Sequence, residues 1–242
     1  MELFSYNLDA WIRSQKGLYP PQMCPDPTVF YVSEWSDQIE ESVSILLQIT
    51  FGLLHIHNHK LIHRDLNPRN GMTLNIKPDC EVLYSAKQQI WKVADFGITQ
   101  EGTSRTPLIT ASSRGTSSYR APELLTDSPA YTNKVDVFAF GCVVFEIFTG
   151  RKRFSSDWEV HKLLQSTETV KATAEVFDAS AHGKSCSQLI EGMLNVDWTA
   201  RPTCEGILEH ILKLGSGLLD RATVKWIICQ RCLTRMQEVS LP

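Results

Sequence analysis

The sequence predicts an α+β fold, mostly helical, with small β hairpins clustered around one loop-rich site. Three observations carry that expectation. Residues 37–58 and 135–149 are long apolar stretches, and the first has apolar positions on nearly every side of a helix. Runs rich in strand-forming residues at 73–76, 80–84 and 91–94 have the length of short strands. Among these lie HRDLNPRN (63–70), VADFG (93–97) and YRAPE (119–123), strings in which charged and amide side chains crowd into a few loop residues.

Composition bounds the rest. The 242 residues suffice for one large domain or two small ones, and 43% apolar with 21% charged residues is an ordinary globular balance. The 24 Lys and Arg against 27 Asp and Glu give a net charge of −3, which offers no footprint for nucleic acid or an anionic membrane. The start, MELFSYNLDAW, shows no basic run ahead of an apolar one, so no secretory signal is expected. Residues 137–145, the most apolar segment, fall far short of the ~20 needed to span a bilayer. The seven cysteines are odd in number and scattered, which predicts reduced thiols in an intracellular protein, cytoplasmic or nuclear. Cys229 and Cys232 form a lone C-x-x-C without the further ligands a zinc site needs.

In chain order, residues 7–16 read as a short helix. Asn7 is its N-cap, Leu8, Trp11 and Ile12 share a face, and Gly17 ends it. The four prolines of LYPPQMCPDP mark a loop. Asp37 with Glu40 resembles a capping box opening helix 37–58. Near its end, His55 and His59 are four apart on one face, read as structural or surface histidines. Residues 73–76 and 80–84 read as a hairpin turning at Lys77-Pro78-Asp79, and 91–94 as a strand leading into Asp95. Residues 102–118, rich in Ser, Thr, Gly and Arg, read as a mobile or conditionally ordered loop. The buried helix 135–149 closes at Gly150, and helices follow near 157–165, 185–195, 203–214 and 222–238.

The polar strings suit phosphoryl transfer from ATP. That reaction needs a carboxylate to orient the attacking hydroxyl and oxygen ligands to hold the metal that neutralises the phosphates. HRD-x-x-x-x-N supplies both on one loop: Asp65 faces the hydroxyl, and Asn70 offers a carbonyl oxygen to Mg²⁺. Asp95 adds a charged oxygen suited to a hard cation, and Gly97 permits the sharp turn that carries it in.

Taken together, in this order and spacing after an apolar helix, the strings resemble a eukaryotic protein kinase. The resemblance runs from Met1 to about Leu214 and implies the hinge and C-terminal lobe of that domain, with 215–242 a helical extension. It implies that Arg64 pairs with a phosphorylated residue of an activation segment running from Asp95 to Glu123. Thr103, Ser104, Thr106, Thr110, Ser112 and Ser113 are candidate phosphosites. It makes His63 structural, Glu123 and Arg201 a buried ion pair, and Asp136 the brace of the HRD backbone. Thr116 in GTSSYRAPE resembles the serine/threonine kinases, and HRDLNPRN with RGTSSYRAPELL a divergent fungal branch. Asn67 departs from the pattern, standing where those enzymes carry a lysine near the transferring phosphate; slower chemistry or a substitute cation is expected.

No G-x-G-x-x-G and no V-A-I-K occurs, so the β-rich N-terminal lobe is expected to be absent. Residues 1–4, including Glu2 and Phe4, resemble the hinge that binds adenine, and Met72 the floor beneath it. A protein substrate is the expected partner, joined by a docking partner or the missing lobe. Two readings stay open: a serine/threonine kinase using ATP and Mg²⁺, or an inactive kinase-lobe fragment or pseudokinase-like binding module.

Overall fold

A computed structural model describes residues 6–15, 36–68, 82–85, 90–110, 114–165 and 181–215. Strand β1 (Tyr6–Asn7) runs into helix α1 (Leu8–Gln15), and α2 (Ser36–Asn58) precedes β2 (Leu61–Ile62). Strands β3 (Val82–Ser85), β4 (Ile90–Val93), β5 (Gln100–Glu101) and β6 (Leu108–Ile109) follow, then a 3₁₀ turn (Pro122–Leu125) and β7 (Ala130–Tyr131). Helices α3 (Lys134–Thr149), α4 (Asp157–Gln165), α5 (Ala181–Met193) and α6 (Cys204–Leu214) complete the described chain. The strands form antiparallel sheets ordered β1-β3-β4, β2-β5 and β6-β7.

Helix α3 is the centre of the body. Every residue from Lys134 to Thr149 is buried, although its Val, Ile and Phe content is weakly helix-forming on its own. Packing on all sides, against α2 and α5 among others, overrides that preference. Removing each large apolar side chain from water contributes roughly 1.5–3 kcal/mol. Gly141 lets α5 approach closely: a Cβ there would lie 2.9 Å from Met193 Cβ. Gly150 ends the helix in the left-handed region at φ 63°, its N–H donating to Glu146 O at 2.8 Å. Helix α2 contributes Val43, Leu46, Leu47, Ile49 and Leu53 to the same core and packs on α6 and β4.

Several expectations change in detail. Asn7 does cap α1, its Oδ1 accepting from Ala10 N at 2.7 Å, but it also pairs with Leu83 across β1 and β3. That strand is too short to show a period in sequence. Helix α2 begins at Ser36, one residue earlier than read, and α5 at Ala181, four earlier than read. Strand β3 pairs with β4 on one side and β1 on the other, so Leu83 and Tyr84 have these two partners in place of the hairpin with 73–76 that was read. Residues 102–118 carry more anchors than their composition suggested. Ile62 pairs with Gln100 just before the segment, Leu108 pairs with Tyr131 within it, and Gly102 N donates to Lys60 O at 2.7 Å. Ladder bonds to distant strands leave no trace in local composition. The Pro-rich loop, Gly17, residues 73–76, the C-x-x-C and 222–238 lie outside the described residues, as do the side chains of the Asp37–Glu40 capping box except that of Glu40. No described helix is long and apolar enough to cross a membrane.

Candidate active site

The loop after β2 is held from below by one buried carboxylate. Asp136, in the first turn of α3, accepts from Arg64 N through Oδ1 (2.8 Å) and from His63 N through Oδ2 (2.9 Å). The same Oδ2 lies 2.9 Å from His57 Nε2. Burial alone would push this carboxyl up; the hydrogen bond and charge of His57, with the Arg64 N–H, outweigh it and hold it below the usual range. His57 responds in the opposite sense. Burial would lower it, but Cys204, whose Sγ is 3.3 Å from Nδ1, and Asp136 raise it to about 10. His63 joins two chain segments. Its Nδ1 accepts from Asp65 N (3.3 Å), which leaves Nε2 to carry the hydrogen and donate to Ala94 O (2.9 Å). The loop after β2 is thereby tied to the residue before Asp95.

Asp65 is anchored by one oxygen. Oδ1 accepts from Thr116 N at 2.6 Å, with Asn67 Nδ2 at 3.5 Å, while Oδ2 has no hydrogen bond among the described residues. It lines a shallow cleft with Thr116, Tyr119, Arg120, Ala121 and Leu124. Asn67 is turned inward and buried, its amide donating to Thr116 Oγ1 (2.9 Å) and Asp65 O (3.2 Å). Gly115 makes this seat possible: at φ 101° it passes so close that a Cβ would lie 2.6 Å from Arg64 O.

Asp95 is exposed, with its backbone in the left-handed region at φ 61°, and its Oδ1 accepts from Gly97 N at 3.0 Å. Phe96 is 52% exposed and meets the His63 ring edge-on at 5.4 Å between centroids. Arg64 and Ser118 also have positive φ, at 75° and 77°. Non-glycine residues held there cost of order 1–3 kcal/mol each, and such strain gathers at functional sites. A carboxylate oxygen exposed beside a turn is a hard donor that fits Mg²⁺.

The far end of the segment is clamped to the body. Arg201, whose side chain is fully buried, pairs with both oxygens of Glu123 at 2.7 Å. It also donates to the carbonyls of Asn195, Lys134 and Val196, so each guanidinium nitrogen has an acceptor. Asp157 on α4 holds Ser118 N (2.9 Å) and Arg120 (2.5 Å).

The sequence-derived residues His63, Arg64, Asp65, Asn67, Asp95, Gly97, Thr116 and Asp136 thus gather on one assembly, with Glu123 and Arg201 bracing its edge. Thr110 lies apart beside β6 and β7, its N donating to Pro129 O. Glu2, Phe4, Asn70, Met72, Ser112 and Ser113 lie outside the described residues. Sequence reasoning missed His57, Cys204, Gln100 and Tyr131. His57 had a signal: at 100° per residue it points away from the exposed His55 and His59, into the body. His55 and His59 meet only each other, His59 Nδ1 lying 2.8 Å from His55 O.

A model of the protein kinase domain matches residues 25–212. Sporulation protein kinase mde3 of Schizosaccharomyces pombe is 41% identical over 124 residues, 51% of this chain and 21% of that protein. Mitogen-activated protein kinase 5 of Arabidopsis thaliana is 30% identical over 203 residues, 81% of this chain and 50% of that one. Serine/threonine-protein kinase Nek8 of Danio rerio is 30% identical over 188 residues, 75% of this chain and 24% of that protein. The chain spans half or less of the length of these curated relatives. It belongs to the eukaryotic protein kinase superfamily, of the serine/threonine type.

Proposed function

We propose that this chain carries the catalytic lobe for transfer of the γ-phosphoryl group of ATP to a serine or threonine hydroxyl of a protein substrate. The observation that supports it best is the state of Asp65. Thr116 N fixes one oxygen, while the other has no hydrogen bond among the described residues and is left to receive a hydroxyl. Asp65 accepts the hydroxyl proton as the oxygen attacks phosphorus and the bond to the β-phosphate oxygen breaks. Asp95, with Asn70, would hold Mg²⁺, which when bound neutralises the phosphate charge. His63 sets the spacing of the two chain segments, and Asp136 fixes the loop backbone that aims Asp65. Glu123 and Arg201 anchor the end of the segment that forms the cleft wall.

The exposure of Phe96 beside Asp95 supports a working enzyme in which a β-rich lobe covers this face, with residues 1–214 serving as hinge and C-terminal lobe. Such a lobe, in a longer chain or on a partner, would complete the ATP site with Glu2, Phe4 and Met72. The direct test joins a kinase N-terminal lobe ahead of the chain and follows transfer of labelled phosphate to a serine/threonine peptide. Transfer is expected, and Asp95→Ala should abolish both transfer and the thermal shift given by Mg·ATP. Transfer to tyrosine alone would overturn the substrate class.

One observation favours a second reading. Asn67 is neutral, buried and committed to Thr116 and Asp65, so it brings no cation to the phosphate. A pseudokinase-like binding module would bind partners without turnover. The completed chain separates the two: Mg·ATP binding with no transfer would favour the module.

A further inference from the structure

Arg64 is already moored on uncharged groups. Its Nη1 donates to Gln100 Oε1 at 2.9 Å, and the Tyr131 hydroxyl donates to the same oxygen at 2.7 Å. Its guanidinium carbon stands 4.9 Å from the centroid of the Tyr131 ring. Gln100 is fixed opposite Ile62 in the β2–β5 pair, and Tyr131 opposite Leu108 in the β6–β7 pair. One oxygen with both lone pairs taken therefore joins the HRD loop to the two small sheets that bracket the segment.

This arrangement disfavours an anion at the same place. A phosphate reaching Nη1 would have to displace the Gln100 oxygen. It would also lie against the face of the Tyr131 ring, whose quadrupole is negative and attracts a cation. Gln100 supplies no second positive charge to offset this. Arg64 Nε is buried and unpartnered among the described residues, so the guanidinium keeps donors elsewhere but not the one that Gln100 holds.

We infer that Gln100 and Tyr131 are positioning residues: they hold Arg64, and through it the backbone carrying Asp65, in place without a phosphate on the segment. The inference rests on reading Arg64 and Asp65 as one catalytic loop. Its readout needs no turnover, so failure of the clamp and failure of phosphoryl transfer are separate results.

The test is amide hydrogen exchange on the full chain, made in bacteria, treated with phosphatase and confirmed phosphate-free by mass. Residues 64–66, 100–102 and 115–119 should be protected. Gln100→Ala should speed exchange in all three stretches by about tenfold, and Tyr131→Phe by less, since it keeps the ring. Gln100 is exposed, so its variants should fold, and Gln100→Glu, whose carboxylate accepts the same two donors, should retain protection. Gln100→Arg sets two cations side by side and should be protected only when sulfate is added, whereas the parent chain should not respond to sulfate. Weak protection that rises only on phosphorylation would overturn the inference. So would protection unchanged by Gln100→Ala, or a parent chain that needs sulfate as Gln100→Arg does.

Discussion

Asp65 and Asp95 lie on a face where a carboxylate oxygen is left open. Asp136 and Glu123, on the body behind it, have both oxygens engaged. At the front Arg64 and Asp65 are half-exposed and Asp95 is exposed, with Arg64 and Asp95 at positive φ; at the back Asp136 and Arg201 are buried and saturated with hydrogen bonds. The difference teaches how such a domain divides its labour. Open lone pairs and strained backbone are unfavourable for folding but necessary for receiving a proton or a cation. They persist because Asp136, Arg201 and the core around α3 over-determine the backbone that carries them.

The sharpest way to break this comparison is to change one residue on each side. Asp65→Ala in a chain completed with an N-terminal lobe should lower transfer by about 10²–10⁴-fold. Stability should move by only about 1 kcal/mol, the value of the lost Thr116 hydrogen bond. Peptide assays and denaturant melts read both, and turnover that survives would mean that Asp65 is not the base. Arg201→Ala should do the reverse, costing about 3–5 kcal/mol because Glu123 and several carbonyls lose their partner. A melt within experimental error of the parent would refute the clamp at the end of the segment.

A pH titration of stability sharpens the account of the body. Folded His57 keeps its proton to about 10, whereas the unfolded imidazole releases it near 6.5. Its contribution is complete below about 6.5 and is lost as pH rises through about 10. Asp136 acts in the opposite direction: its contribution is present above the unfolded value of 3.8 and is lost as pH falls through its lower folded value. His57→Ala should cost about 1.5–3 kcal/mol near neutrality, the range for a hydrogen bond to a charged group. It should also flatten the alkaline limb; an unchanged alkaline limb would show that His57 is not its source. Gly115→Ala should cost roughly 1–3 kcal/mol, smaller because the strain stays at the segment. Exchange should rise at Thr116 and Asp65 while the α3 amides stay protected.

The front of the site was far more legible in sequence than the back. His63, Arg64, Asp65 and Asn67 lie within five residues and Asp95 and Gly97 within three, so their chemistry is written in short strings. The helices were legible too, because apolar periodicity is a local signal, and 135–149 emerged almost to the residue. The anchors of segment 102–118 were not legible for the converse reason. Its Ser- and Thr-rich composition describes solvent preference, while its described anchors are bonds to distant backbone: Leu108 and Ile109 pair with β7, and Gly102 N donates to Lys60 O.

By itself, then, the sequence determined the family, the helical body and the short strings of polar residues proposed to meet a substrate, since these depend on neighbours along the chain. Only the tertiary structure decided how they are held. His57 meets Asp136 across 79 positions and Cys204 across 147, and Asn67 meets Thr116 across 49. Whether a given Asn is a free amide or a buried strut, or an Arg awaits a phosphate or already rests on Gln100, depends on groups that only folding brings within 3 Å or so.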